Sequence, residues 1–459
     1  MSAQSDIATV PFSRRAVENK KRFTLLDLLL LFLVTGLGFV LRVHDVGQPT
    51  KMYFDEIYYV DAADKLWSGQ MDPNSVHPPL GKWLIGLGIK TVDAAGGKGL
   101  GQPFKWRFGS VVSGTAIIAM TYGLGLLLFN YNRTASTLAG LFVATDHLHL
   151  ACSRIAMLDP YLAFFCMLGM WAALKYFLGG HEGWALFSAF VLGLATGCKW
   201  SGLFTAFGCL MAGWWIERTA PTRERTQRYF FWLILLLSLG FLLSYSHLFL
   251  AEGPSFEDVK TIFGQGKRMV KFRADSKQFT HQYISQFWTW PLVLQPIWLL
   301  FDEDKAKNTV DAVCAMGSPI FWWGFLLLLV ERTVYVIRTA LPQEHRAHLE
   351  SRRDPVVGAL IILYFCQWLP WAVSLTGGFF YYMLTEVPIM ALLVGKFIAD
   401  LLDFDDALGE GRWRGWVLLG LIAVGGMLYY PFAVGRTTPR PYFEKVYFSN
   451  QWIVGNKAK

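Results

Sequence analysis

The feature that most constrains this chain is the recurrence of long apolar runs. Leu25 to Leu41 contains one charged residue, Asp27, near its start. A run of roughly 20 apolar residues is the length that crosses the hydrocarbon core of a bilayer. Such runs predict membrane segments at 23–42, 108–129, 135–151, 157–178, 184–198, 200–217, 229–250, 319–337, 356–375, 380–400 and 415–434. The reading is an all-α polytopic membrane protein of about 11 transmembrane helices. Composition agrees: of 459 residues, 54% are hydrophobic and 17% charged, with a mean hydropathy of +0.35. A soluble domain of this length carries more charge. Many of the 19 Trp sit at the ends of apolar runs, which suits an interfacial aromatic belt.

Charge placement sets the expected topology. Residues 1–22 are polar and end in Lys20, Lys21 and Arg22, so this tail is expected in the cytoplasm. Alternation then puts the loop with Arg218, Arg223, Arg225 and Arg228 inside, and likewise the loop with Arg338, Arg346, Arg352 and Arg353. Both obey the positive-inside rule. The membrane unit is expected over 23–434, with outer loops at 43–106 and 251–318 and an outer C-terminal tail at 435–459. The second outer loop carries Lys260, Lys267, Arg268, Lys271, Arg273 and Lys277. External basic residues run against the rule, and they read either as an anion site near the membrane surface or as a solvated or lipid-touching face.

The net charge of +8 would suggest nucleic acid in a soluble protein. Here most Lys and Arg fall between apolar segments, where topology and anionic lipid account for them, and no nucleic-acid partner is expected. The six cysteines show no paired spacing, so neither a disulfide framework nor a zinc site is expected. No cleavable leader is expected either, because the first run is long, starts late and lacks a small-residue cleavage site. No Walker A loop and no strand-to-helix GxGxxG occurs.

The chemistry is expected at the outer surface. Just after the first segment the chain reads Tyr53-Phe54-Asp55-Glu56-Ile57-Tyr58-Tyr59. Ionisable groups at the membrane are costly and usually functional. Adjacent side chains do not point the same way, so one carboxylate is expected to do chemistry and the other to support it. An acidic pair that merely complements a helix N-terminus is the plainer explanation. Next comes His77-Pro78-Pro79-Leu80-Gly81-Lys82. Its Pro-Pro fixes an extended backbone that would hold His77 at a set angle, and Lys82 would open a helix lying on the membrane. Arg107, Arg154, Asp159 and Lys199 sit at or near predicted outer segment ends. Each basic one could simply snorkel to the interface. Together, near one carboxylate, they suggest an anionic, lipid-borne substrate.

At these residues the sequence resembles the protein O-mannosyltransferase family, with its GT-C membrane fold. The resemblance spans most of the chain. It is carried by Asp55-Glu56, by His77-Pro78-Pro79-Leu80-Gly81-Lys82, by Arg107, by Ser153-Arg154 through Leu158-Asp159-Pro160, and by Lys199-Trp200. The stretch His281 to Tyr283, then Trp288-Thr289-Trp290-Pro291 and Pro296-Ile297-Trp298, continues it. The chain departs from the family pattern at Gln282, at Gln295 and at Phe380-Tyr381-Tyr382-Met383 with Glu386. These positions bear on sugar and acceptor more than on fold. The 251–318 loop is too short for the MIR domain of eukaryotic members, so the chain resembles a bacterial one.

The resemblance implies an enzyme of the bacterial plasma (inner) membrane with its active site facing outside. It would move mannose from a polyprenyl-phosphate carrier to Ser or Thr hydroxyls of proteins, with membrane lipids around it. Asp55 would be the base and Glu56 would orient the acceptor or a nearby cation. Arg107, Arg154, Lys199, His77 and Lys82 would bind the donor phosphate and carrier. Asp159, His281, Tyr283, Trp290, Tyr381 and Tyr382 would support the site. No cofactor is expected beyond the lipid-linked sugar co-substrate, and no divalent metal is required. Two rivals stand beside this reading. One is a GT-C transferase that moves another lipid-linked sugar, such as aminoarabinose, to a lipid or polysaccharide. The other is a lipid-linked sugar flippase, which would need midplane charges and repeat symmetry.

Overall fold

The computed structural model describes residues 23–219, 224–252, 255–274, 281–340, 355–374, 376–403 and 410–448. The expectations placed on 1–22, on Arg223, Lys277, Arg346, Arg352 and Arg353, and on the tail past 448 lie outside the described residues. The helices are α1 (Leu25–Val43), α2 (Glu56–Trp67), α3 (Leu80–Ala94), α4 (Gln102–Leu128), α5 (Arg133–Thr145), α6 (His147–Cys152), α7 (Asp159–Gly179), α8 (Glu182–Cys198) and α9 (Gly202–Thr219). There follow α10 (Arg225–Leu243), α11 (Ser246–Glu252), α12 (Phe256–Ala274), strands β1 (Ile297–Asp304) and β2 (Thr309–Ala315), α13 (Pro319–Ala340), α14 (Pro355–Trp368), α15 (Val387–Leu402), α16 (Glu410–Val434), β3 (Thr438–Pro439) and α17 (Arg440–Phe448).

Among the described residues, each predicted apolar segment falls mostly on helix. Among the described residues six helices are long and apolar enough to cross a membrane: α1, α4, α7, α10, α14 with its 3₁₀ extension to Val373, and α16. The first starts with a capping box, in which Thr24 and Asp27 bond reciprocally, and so satisfies otherwise orphaned N–H groups. Arg133, opening α5, pairs with Asp27 at 2.8 Å and aligns the starts of α1 and α5. The predicted segment 135–151 is two helices, because the chain is extended at Asp146. That side chain caps α6 through His149 N and also accepts from Ser318 N and the Trp322 indole. A carboxylate is tolerated in an apolar interior only when so satisfied.

The all-α expectation needs correction. β1 and β2 form an antiparallel hairpin with Asp304 opposite Thr309 and Ile297 opposite Ala315. β3 adds to β2 through Thr438 and Val310. This three-stranded sheet joins the 251–318 loop to the residues after α16. Arg440 pairs with Glu303, and Lys51 of the first loop reaches Asp302 at 2.8 Å. The two long loops and the 435–448 stretch thus form one connected cap. Loop 43–106 folds as α2 and α3, and α3 begins at Leu80, two residues before Lys82.

Candidate active site

The acidic pair sits where the first loop turns into α2. Phe54 has φ +51, a backbone conformation unusual for a bulky side chain. Its ring lies edge-on to Tyr381 at 5.9 Å and to His281 at 6.4 Å. Asp55 follows as the residue capping α2, and Glu56 is its first helical residue. The two carboxylates diverge. Asp55 lines a cavity, whereas Glu56 is fully buried on the opposite side.

Glu56 is bound by a complete set of donors. Arg107 Nε reaches its Oε1 at 2.7 Å and Nη2 its Oε2 at 2.9 Å, the two-pronged geometry in which guanidinium and carboxylate match best. The backbone N–H groups of Ala156 and Tyr53 also donate to it. Arg107 gives its remaining hydrogens to the carbonyls of Val46, Gln48, Pro49 and Lys51. Arg154 likewise donates to Leu41, Arg42 and His44 carbonyls at the end of α1, and to Val434. Free carbonyls at a helix C-terminus favour such a cation. The structure therefore departs from the expected phosphate-holding task of Arg107 and Arg154: both guanidiniums are committed to protein oxygens and neither lines the cavity.

Lys82 is also buried away from the cavity. Its ammonium pairs with Asp72 and donates to the carbonyls of Asn74 and His77. It ties down the loop that presents Asn74, His77 and Pro78 to the cavity. The expected extended Pro-Pro needs correction, because Pro79 has φ −83 and ψ −15 and opens α3; the loop is held instead by Lys82, three residues beyond it.

The cavity measures about 820 Å³. Of the residues predicted from sequence, it brings together Asp55, His77, Lys199, His281, Tyr381 and Tyr382. Trp200, Phe204, Trp371 and Phe379 add apolar wall. Asp159 stands behind Lys199, with a 2.7 Å ion pair. The Lys199 ammonium lies 5.5 Å from both the Tyr381 and Tyr382 ring centres. Trp290 is buried, donates to Ser285 Oγ and packs edge-on to Tyr382. Tyr283 rests against His281 at 5.4 Å. Glu56, Lys82, Arg107, Arg154, Asp159, Tyr283 and Trp290 thus surround the cavity without lining it.

Burial pushes the Asp55 carboxyl up to about 6; Lys199 pulls it down, Asp159 pushes it up, and a Tyr59 hydrogen bond favours the charged form. Burial would lower the Lys199 ammonium, but Asp159, Tyr382 and Asp55 outweigh it and hold it above the usual lysine value. Burial, then the nearby Asp55 charge, keeps Tyr59 well above the usual phenol range, so it remains a donor. Burial depresses His281 below the usual histidine value. A carboxylate that is ionised near neutrality yet close to taking a proton suits a general base.

Sequence reasoning missed Tyr59, Asp72, Arg42 and Asp146. Tyr59 stands one helical turn after Asp55, a spacing that places both on one face. Arg42 is fully buried at the end of α1, bonded to carbonyls of Gly38, Val143 and Ala144 and to His149 Nδ1 at 2.7 Å. Charges inside predicted apolar segments were the available signal for Arg42 and Asp146. Asp72 offered none.

Comparison with known proteins completes the picture. Residues 32–250 match the family model of dolichyl-phosphate-mannose-protein mannosyltransferase. Residues 258–452 match that of the C-terminal four-transmembrane region of protein-O-mannosyltransferase. A polyprenol-phosphate-mannose–protein mannosyltransferase of Mycolicibacterium smegmatis is 24% identical, with 88% of each chain covered. The Saccharomyces cerevisiae protein O-mannosyltransferase Pmt1–Pmt2 complex, solved with its sugar donor, matches with a TM-score of 0.77 at 12% identity, over 96% of this chain and 94% of that one. ArnT from Cupriavidus metallidurans, solved with undecaprenyl phosphate, reaches 0.50 at 14% identity, over 93% and 74%. At these identities the structural likeness is one of fold, the GT-C fold. With two family models that together span nearly all of its membrane region, the chain belongs to the protein O-mannosyltransferase family.

Proposed function

We propose that this protein transfers mannose from a polyprenyl-phosphate-mannose donor to Ser or Thr hydroxyls of proteins, by a single inverting displacement on the outer face of a bacterial plasma membrane. The observation that carries the reading is Asp55: a buried carboxylate held near pH 6 on the wall of a largely aromatic cavity.

The acceptor oxygen attacks the anomeric carbon as Asp55 takes the hydroxyl proton. The bond from that carbon to the phosphate oxygen breaks, and its electron pair leaves with the polyprenyl phosphate. A phosphate monoester is already a good leaving group, so one base suffices. A glycosidase, by contrast, works with two carboxylates at a set separation. Lys199 and His77, both on the cavity wall, meet the departing negative charge, and stabilising such charge is commonly the largest catalytic contribution. Glu56 and Arg107 hold the turn that aims Asp55. Tyr381, Tyr382 and His281 face the sugar and acceptor. Basic side chains meet the phosphate charge, so the reading needs no divalent metal.

The sidedness rests on about 11 crossings, the number expected from the apolar runs of the sequence. The end of α1, the start of α7 and the end of α8 meet at the site through Arg154, Asp159 and Lys199. Helices that alternate in direction bring those termini to one membrane face, and an odd count places the two chain ends on opposite faces. Secreted or membrane proteins are then the acceptors.

The test is reconstitution of the purified chain with radiolabelled polyprenyl-phosphate-mannose and a Ser/Thr-rich peptide, beside Asp55→Asn. Label on peptide with the wild type alone is the expected result. Label on lipid acceptors instead would move the protein to the lipid-modifying branch of the fold. No transfer to either, under conditions where a relative labels peptide, would overturn the donor assignment.

A further inference from the structure

Helix α12 has three distinct faces, and the transfer reading uses only one. Ile262, Gln265 and Met269 are buried against the protein, and Met269, Val270 and Phe272 line the same cavity as Asp55. A second face is apolar and open: Phe256 is 73% exposed, Phe263 69% and Val270 55%, with Val259 between them. Their offsets of three, four and seven residues form one stripe along a helix. The third face carries Lys260, Lys267, Arg268 and Lys271, all exposed. Only Lys260 has an ion-pair partner among the described residues, Glu257 at 2.5 Å.

The helix lies at the level of the span ends. A side chain added at Gly266 would touch the Trp200 ring at 3.4 Å, and Trp200 sits between the end of α8 and the start of α9. An apolar stripe beside a row of Lys and Arg is the pattern of a helix that lies in the membrane interface. Val270 is both exposed and part of the cavity wall, so this interface runs to the cavity mouth.

We propose that α12 docks on the anionic headgroup layer of the membrane that holds the spans. Phe256, Val259, Phe263 and Val270 enter the acyl boundary, and Lys260, Lys267, Arg268 and Lys271 meet lipid phosphates. Docked there, α12 forms a lipid-held wall of the cavity mouth. The occupant is a bilayer surface rather than a protein because spans already place a bilayer beside the helix, and its charge complements the basic row.

The test needs no transfer activity, so it stands apart from the mannosyl-transfer reading. The full chain is placed in nanodiscs of phosphatidylcholine alone or mixed equally with phosphatidylglycerol, and backbone hydrogen exchange is followed over 256–274. A basic side chain near an anionic surface contributes ~1 kcal/mol, about fivefold. Exchange over α12 should therefore be at least about fivefold slower in the anionic discs. Charge reversal at Lys260→Glu, Lys267→Glu, Arg268→Glu and Lys271→Glu should erase that difference. Phe263→Ser should speed exchange in both discs. Unchanged exchange over α7 verifies that each variant is folded. Equal exchange of wild-type α12 in the two discs, or a lipid difference that survives charge reversal, would overturn the proposal.

Discussion

Glu56 and Arg107 meet at 2.7 Å with neither side chain reaching solvent, and this pair joins the start of α2 to the start of α4. Arg107 has no charge to spare for a substrate: its other donors hold four loop carbonyls. Removal of one partner of a buried ion pair leaves the other unpaired and costs about 3–5 kcal/mol. Arg107→Ala should lose that much stability, read as a large fall in thermal unfolding temperature in detergent. Arg107→Lys should recover little of it, since an ammonium cannot supply the guanidinium fork. A variant that unfolds like the wild type but loses only donor affinity would instead make Arg107 a phosphate ligand.

Lys82 offers a second case of a motif residue acting through the loop it holds. Lys82→Met strands Asp72 and frees the carbonyls of Asn74 and His77. Stability should drop by about 3–5 kcal/mol, and KM for the donor should rise, because Asn74 and His77 line the cavity. Adding Asp72→Asn removes the stranded charge. The double variant should regain much of the stability and keep the raised KM. Recovery of both together would show that Lys82 matters only as a counter-charge.

What was legible in the sequence follows from locality. Apolar runs and the ordered motifs are local signals, and they marked the helices and the residues Asp55, His77 and Lys199 that line the cavity. Which partner each buried charge takes is not local: Arg107 finds Glu56 across 51 residues, and Arg154 finds the end of α1 across 112. Sequence alone could place both arginines near the ends of apolar segments without seeing that carbonyls consume them. The sheet escaped for a similar reason. Ile297-Trp298-Leu299-Leu300-Phe301 is a continuous apolar run, not an alternation. Its register shifts between Trp298 and Leu300, and its third strand comes from Thr438–Pro439.

Two glycines set the approach of α8 to α10. A Cβ at Gly193 would lie 2.3 Å from the Leu237 carbonyl oxygen, and one at Gly240 2.3 Å from that of Phe190. Both obstacles are backbone, so no side chain can swing away. Small residues allow such close helix contact in membranes. Gly193→Ala and Gly240→Ala should each destabilise by about 1–3 kcal/mol, the usual cost of overpacking. Detergent unfolding curves check this, and a neutral Gly193→Ala would mean that the helices part readily.

Asp55 should weaken the fold that it serves. Its carboxyl rises from 3.8 unfolded to about 6 folded through burial. Such a group contributes stability that is full below pH 3.8 and is lost as pH rises through about 6. Asp55→Asn removes the penalty, so at pH 7.5 the variant should be more stable by on the order of 3 kcal/mol. Its advantage should fade on acidification toward pH 4. Unfolding followed at several pH values reads this directly, and an inactive variant less stable than wild type at pH 7.5 would contradict the burial argument.

The same carboxyl should set the acid limb of activity. A base acts only when deprotonated, so kcat/KM should rise with pH and level off above about 6. The neighbours then move the limb in opposite directions. Lys199 favours the charged carboxylate and Asp159 opposes it. Lys199→Gln should therefore carry the limb above 6, and Asp159→Asn should carry it below. A merely structural role for either residue would lower the rate at every pH and leave the midpoint where it was. Asp159→Asn also releases Lys199 from its 2.7 Å partner, leaving Asp55 as its nearest remaining carboxylate in the cavity wall, which reinforces the downward shift. A limb that stays put in both variants would mean that the titrating group is not Asp55.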